Sequence, residues 1–292
     1  MKQFFIAVII AILALLSYQI VNSQSLTADL YGGIANYQGD LQSKRFSFNN
    51  IGPAAGLGIS YHFNSKWTVR GVATYMKIKG SDASNSGDKS NLAGRNLSFK
   101  SSVWEAQLAV EYNFFDIEER SLSPYLFAGI AAFHFNPYSF DGAGSKVYLR
   151  SLGTEGQGLS AYPDKKLYKN NQFAIPFGGG IKFALNPRLV LGVELGLRKL
   201  FTDYLDDVSG TYADSAILAA ARGPQAVAFA FRGKEVNPNA LYPAEGSIRG
   251  NPKSKDWYYT TGIKLSYNLG GGNGSGLFGG RRSKTGCPTN VY

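Results

Sequence analysis

The chain has 292 residues, with 30 Lys and Arg against 20 Asp and Glu, a formal net charge of +10, 35 glycines, two histidines and one cysteine. One thiol excludes an internal disulfide, and so few Cys and His give no metal-spaced cluster. Beyond the N-terminal leader no stretch approaches the roughly 20 apolar residues of a helical membrane span. The positive charge lies mainly in loops and tail, where it suits an acidic partner or an anionic lipid surface; nucleic acid is a poor partner for an exported chain.

Met1-Lys2-Gln3, the apolar run Phe4 to Leu16 and the short residues Val21 and Ser23 have the format of a secretory signal peptide, residues 1–23. Segments of period-two hydropathy follow. Leu26 to Tyr37 sets Leu26, Ala28, Leu30, Gly32 and Ile34 against Asp29, Tyr31, Gly33, Ala35 and Tyr37. Ala55 to Phe63 places Leu57, Ile59 and Tyr61 outward, and Gly56, Gly58, Ser60 and His62 inward. After the turn Asn64-Ser65-Lys66, a third strand starts at Trp67; its end, Met76 to Lys79, breaks the alternation, at a bulge or above the lipid. Phe99 to Phe114 opposes Trp104, Ala106, Leu108 and Val110 to Glu105, Gln107, Ala109 and Glu111.

Tyr125 to Phe135 is read with Tyr125, Phe127, Gly129, Ala131, Phe133 and Phe135 outward, which turns His134 inward. Phe173 to Leu185 is the sixth strand, with Pro176 at a bulge. Asn186-Pro187-Arg188 is a tight turn, and Leu189 to about Tyr204 is the seventh. The connection from Leu205 to Asp256 is the longest and holds a short helix near Ser215 to Ala221. Trp257 to Leu269 completes the set, aliphatic between aromatic ends on one face and polar or small on the other.

Eight strands joined by alternating long and short connections predict an all-β fold: an eight-stranded antiparallel transmembrane up-and-down β-barrel over residues 24–269, with long extracellular loops, both barrel ends in the periplasm and a periplasmic C-terminal tail. Only helices and closed barrels satisfy every backbone polar group in lipid. The expected inward charges are Asp29, Glu105, Glu111 and Glu194 against Arg70, Lys182, Arg198 and Lys264. They form either a selective channel or, the favoured reading, a salt-bridged network that fills the lumen.

Catalytic chemistry is sparse. His134 with Ser139 and Asp141 is the single local set with the residue types of a lipid hydrolase, and it carries no motif; no enzyme, cofactor or metal site is expected. Gly178-Gly179-Gly180 lies within a strand and reads as close backbone packing. Asp214-Ser215-Ala216 has the form of a bacterial O-glycosylation triplet. The tail, 270–292, begins as a glycine-rich tether and carries Leu277, Phe278, Arg281, Arg282, Cys287 and Tyr292, the residues expected to dock a periplasmic partner, with Cys287 placed for an intermolecular disulfide.

Asn36-Tyr37-Gln38-Gly39-Asp40-Leu41, Pro124-Tyr125-Leu126-Phe127-Ala128-Gly129, the strand layout and the Cys-bearing tail together resemble the PorG-type barrels, outer-membrane components of the type IX secretion system of Bacteroidota. The resemblance implies a non-enzymatic part of the secretion and gliding apparatus, seated among outer-membrane lipids and attached to a periplasmic ring lipoprotein and its soluble partner. The other reading is a small barrel working in surface adhesion or ligand binding through its outer loops.

Overall fold

The structure is a computed structural model and describes residues 25–42, 50–85, 92–117 and 119–269. The expected signal peptide and all six tail residues singled out above lie outside the described residues. Ten strands follow in order: β1 Ser25–Gln38, β2 Gly52–His62, β3 Trp67–Ser81, β4 Ser98–Asn113, β5 Leu122–His134, β6 Tyr138–Phe140, β7 Lys146–Tyr148, β8 Asn171–Asn186, β9 Leu189–Leu200 and β10 Trp257–Asn268. Eight of them pair antiparallel in the order β3-β2-β1-β10-β9-β8-β5-β4, and β4 returns to β3. The sheet therefore closes with no free edge, as lipid demands. Among the described residues no helix is long and apolar enough to cross a membrane.

Two of the short turns are built by asparagine. Asn64 Oδ1 accepts from the backbone N–H of Lys66 and Trp67, both at 2.9 Å, and Asn186 Oδ1 accepts from Arg188 N–H at 2.8 Å. Trp67 and Tyr112 form an aromatic pair near this end, and Tyr75 and Trp104 form another toward the far end. Trp67 to Tyr75 along β3, at ~3.3 Å per residue and a ~40° tilt, rises about 20 Å, close to the height of an outer-membrane apolar band. Between the girdles the outward positions are aliphatic and exposed, Leu30, Leu57, Ile59, Leu108, Ile130, Val193 and Ile263 among them.

The structure corrects the sequence reading at several places. The faces of β5 are reversed: Phe127 is 4 % exposed and Ile130 66 %, so Tyr125, Phe127, Ala131, Phe133 and Phe135 point inward and Leu126, Ala128 and Ile130 meet lipid. His134 consequently points outward. No bulge interrupts Met76 to Lys79. The register runs unbroken to Ser81↔Ser98, and Met76 and Ile78 turn inward beneath a packed extracellular layer, which inverts the polarity above the lipid. Pro176 keeps register with Arg198; proline has no N–H to donate, and the β5–β8 ladder lacks pairs between Ala128↔Phe177 and Ala131↔Ala174 without slipping. The irregularity of β8 falls at Ala184/Asn186 instead. The seventh barrel strand stops at Leu200, not near Tyr204.

The long connections fold over one mouth of the barrel. β6 and β7 form a hairpin that extends the sheet beyond β4 through Lys100↔Tyr138. Residues 201–256 hold two α-helices, α1 Ser215–Arg222 and α2 Pro224–Ala230, and a 3-10 turn at Gly233–Glu235. Asp214 caps α1 by accepting from Ala216 and Ile217 N–H at 2.8 and 2.9 Å, so the glycosylation-like triplet is here a helix start. Gly223, at φ 85°, makes the corner, and Pro224 opens α2. Leu218, Ala226, Phe229 and Ala230 pack with Leu205 and Val208 onto Tyr37, Phe99, Phe133 and Phe135 at the strand ends, in one buried cluster.

Candidate functional site

Two polar assemblies lie inside the molecule. The first fills the lumen, where all eight charges expected there are buried. Arg70 on β3 holds Glu194 of β9 with two bonds, 2.5 and 3.1 Å, and reaches Glu111 of β4 at 3.3 Å. Lys264 of β10 lies 3.2 Å from Glu111 and 3.7 Å from Glu194, and Lys182 of β8 contacts Glu111 and donates to Asn113 at 3.0 Å. Nearer the lidded mouth Arg198 makes a two-bond pair with Glu105, 2.9 and 3.1 Å, and donates to Thr260 at 2.7 Å; Tyr258 OH donates to Glu105 at 2.6 Å. Asp29 stands apart from the ion pairs and accepts from Ser60 Oγ.

The reversed face of β5 completes this network. Tyr125 OH donates to Glu194 at 2.7 Å, and Lys182 and Lys264 each lie 4.9 Å from its ring centre. The guanidinium of Arg70 sits 3.9 Å over Phe127. Cations on aromatic faces recover part of what they lose on leaving water. Gly178 and Gly180 supply the room: a Cβ on Gly180 would stand 2.8 Å from the Tyr125 ring, and one on Gly178 3.0 Å from Phe127. His62 is buried near the open end between Thr68 Oγ1 at 2.9 Å and Thr27 Oγ1 at 3.2 Å.

The second assembly pins the lid, and the sequence reading missed it. Glu155 accepts from Ser209 and Gly210 N–H and from Arg249 Nη1, at 2.9 to 3.1 Å. Arg249 also donates to the carbonyls of Asp207 and Ala230 at 2.6 and 3.1 Å. Arg95 forms a two-bond pair with Asp82, 2.8 and 2.9 Å, and donates to Asp40 O at 2.9 Å. Burial raises the Asp203 carboxyl to about 7, with Asp40 adding to the effect, and Asp207 to about 6 against the pull of Arg249. Burial and neighbouring carboxylates push Asp206 and Asp256 well above the ordinary range.

The first stretch of the family resemblance sits at this junction. Tyr37 OH bonds Asp206, Leu41 N–H donates to Tyr37 OH at 3.3 Å, and Asp40 accepts from Asn251 N–H at 3.0 and 3.1 Å. A Cβ on Gly39 would fall 2.0 Å from Asp256 Oδ1, so only glycine allows this approach. Asn36 to Leu41 thus ties the end of β1 to the lid. Beside it opens a cleft of about 700 Å³ lined by Asp40, Tyr212, Phe231, Ile248 and Lys255.

His134, Ser139 and Asp141 are not brought together. His134 Nδ1 lies 2.7 Å from Asn171 Oδ1 on the outer surface. Ser139 accepts from Arg232 at 2.8 Å, and Asp141 accepts from Ala143 and Ser145 N–H within its own turn. Among the described residues no group of three or more His, Cys, Asp or Glu is arranged to hold a metal ion.

A closed barrel with an aliphatic belt, aromatic girdles and a charged, filled interior defines a β-barrel protein of the bacterial outer membrane. The chain belongs to the family described as Domain of unknown function (DUF6089), whose model matches residues 6–220. No curated protein matches it. Among solved structures it is similar to Ail, the attachment invasion locus protein of Yersinia pestis, at 9 % identity and TM-score 0.39 over 85 % of this chain and 99 % of that one. It is also similar to OprG of Pseudomonas aeruginosa, at 12 % and 0.38 over 84 % and 98 %, and to the N-terminal barrel domain of Pseudomonas aeruginosa OprF, at 11 % and 0.37 over 85 % and 100 %.

Proposed function

We propose that this protein is a non-enzymatic outer-membrane scaffold that anchors a periplasmic type IX secretion and gliding complex through its C-terminal tail. The observation that carries this reading is the state of the barrel: ion pairs fill its interior and a packed lid covers its mouth. An interior so occupied offers no site for a substrate, which leaves the work to segments outside the wall. The resemblance to PorG-type barrels supplies the partners, a ring lipoprotein and its soluble companion, and Leu277, Phe278, Arg281, Arg282, Cys287 and Tyr292 are the residues that would meet them.

The test is deletion of 270–292, with insertion checked by heat-modifiable electrophoretic mobility and the complex recovered by cross-linked pull-down. Loss of the partner and of secretion from an inserted barrel supports the reading; retention of both overturns it. Cys287→Ser on non-reducing gels tests the disulfide, which an unchanged band pattern would remove. A second reading, ligand binding or adhesion at the outer face, draws on the cleft beside Asp40 and Tyr212. It predicts that the tail deletion leaves function intact while Tyr212→Ala abolishes it.

A further inference from the structure

Above the outer girdle the outward face of the sheet changes character. Tyr75 and Trp104, with ring centres 4.7 Å apart, mark the top of the aliphatic belt. The following outward positions bring Lys77 and Lys79 on β3 beside Lys100 on β4, and the β6–β7 hairpin adds Lys146. Lys79 and Lys100 are direct cross-strand partners. Like charges placed opposite each other destabilise a sheet, so this pair calls for an anion.

None of the described residues supplies one. Among the described residues none of these four lysines forms an ion pair, whereas Arg70, Arg95, Arg198, Arg249, Lys182 and Lys264 all do. Two of them, Lys100 and Lys146, lie beside rings. Lys100 Nζ lies 4.9 Å from the Phe140 ring centre, and Lys146 Nζ lies 3.8 Å from that of Tyr138 and 4.6 Å from that of Tyr148. The adjoining sector of the rim, His134 on β5 and Asn171 on β8, satisfies itself with a hydrogen bond.

We propose that this patch binds the phosphate groups of a phosphorylated glycolipid in the outer leaflet. The inference rests on the outer-membrane placement and is independent of the tail. Charge complementarity selects the occupant: lysine heads on long stems reach the headgroup layer, rings flank them at that depth, and the acyl chains lie below against Trp104, Ala106 and Leu108, all exposed on the lipid face. Both phosphate and fatty chain are needed to cover the whole surface.

The test uses the full-length protein folded in zwitterionic detergent. Fluorescent diphosphoryl lipid A is titrated in and followed by energy transfer from tryptophan. Binding should weaken ~10- to 30-fold when the same lipid is dephosphorylated, and by a similar factor in Lys79→Gln/Lys100→Gln. Inorganic phosphate and phosphatidylglycerol, each at the concentration of the lipid, should not compete. Equal affinity for the phosphorylated and dephosphorylated lipids overturns the proposal. So does displacement by phosphatidylglycerol or phosphate, or unchanged affinity in a folded variant. The comparison of the two lipids needs only the unaltered protein, so it decides the matter even where the variant fails to fold.

Discussion

Arg198 and Arg70 offer a direct comparison of what a lumen charge contributes. Arg70 pairs with two acids and Arg198 with one, yet removing Arg70 leaves neither acid without a partner. Glu194 keeps Lys264 at 3.7 Å and the Tyr125 hydroxyl at 2.7 Å, and Glu111 keeps Lys182 and Lys264. Glu105 has Arg198 as its sole ion-pair partner among the described residues, and without it retains the Tyr258 hydroxyl. Breaking a buried pair and leaving its charge behind costs ~3–5 kcal/mol. Arg198→Met should therefore cost about 4–5 kcal/mol and Arg70→Met about 2–3, although Arg70 pairs with two acids. Guanidinium unfolding in lipid vesicles, followed by the fluorescence of lipid-facing Trp67 and Trp104, measures both. Adding Glu105→Gln to Arg198→Met should recover at least about 2 kcal/mol, because the orphaned charge is gone. A smaller loss for Arg198→Met than for Arg70→Met, or no recovery in the double variant, would refute the argument that stranded charge sets the cost.

Three further outcomes follow from the same geometry. In planar bilayers the filled lumen should give no steady conductance steps, and reproducible steps from the unaltered protein would show that the network opens. Asp203 and Asp207 are raised to about 7 and about 6, whereas unfolded aspartate titrates near ~3.9. The folded lid then holds protons that the unfolded one releases, so its stability falls as pH rises from about 4 to about 7. Hydrogen exchange across 201–256, corrected for intrinsic rates, should be slower at pH 5 than at pH 8, with the difference reduced in Asp203→Asn; equal protection at both would refute the assignment. Gly33→Val would drive a Cβ to 2.3 Å from Thr261 O and 2.9 Å from the Tyr31 hydroxyl. Folding into vesicles should fail or lose several-fold in yield, which heat-modifiable mobility reads.

The barrel was legible because lipid imposes one rule on every strand, and seven of the eight obey it with contrast between faces. β5 has none: Tyr125, Phe127, Ala131 and Phe133 alternate with Leu126, Ala128, Ile130 and Ala132, and both sets are apolar. Assigning the aromatic set to lipid follows the girdle rule, but the lumen holds four cations, and ring faces suit them. The available signal was the count of inward lysines and arginines, which asks for aromatic company. Met76 and Ile78 break the alternation for a related reason. The strand outlasts the bilayer, and once past it the inside is an apolar lid core while the outside meets headgroups, so the pattern inverts with no change in backbone.

The lid reads as loop in the sequence because Gly, Pro, Asn and Asp dominate its turns and its core is assembled from contacts distant in sequence. Its clue lay in residues that a solvated loop has no use for, Leu218, Phe229 and Arg249, all buried. The stretch from Asn36 to Leu41, which carries part of the family resemblance, is physically a latch. Tyr37 reaches Asp206, Asp40 holds Asn251, and Gly39 lets Asp256 come close, so a few residues at the end of β1 fix the lid at several points. Such a stretch should tolerate little change, because Tyr37 and Asp40 hold polar groups of the lid and Gly39 leaves Asp256 its room. A motif of this kind reports shared architecture: it marks how the lid is held to the barrel.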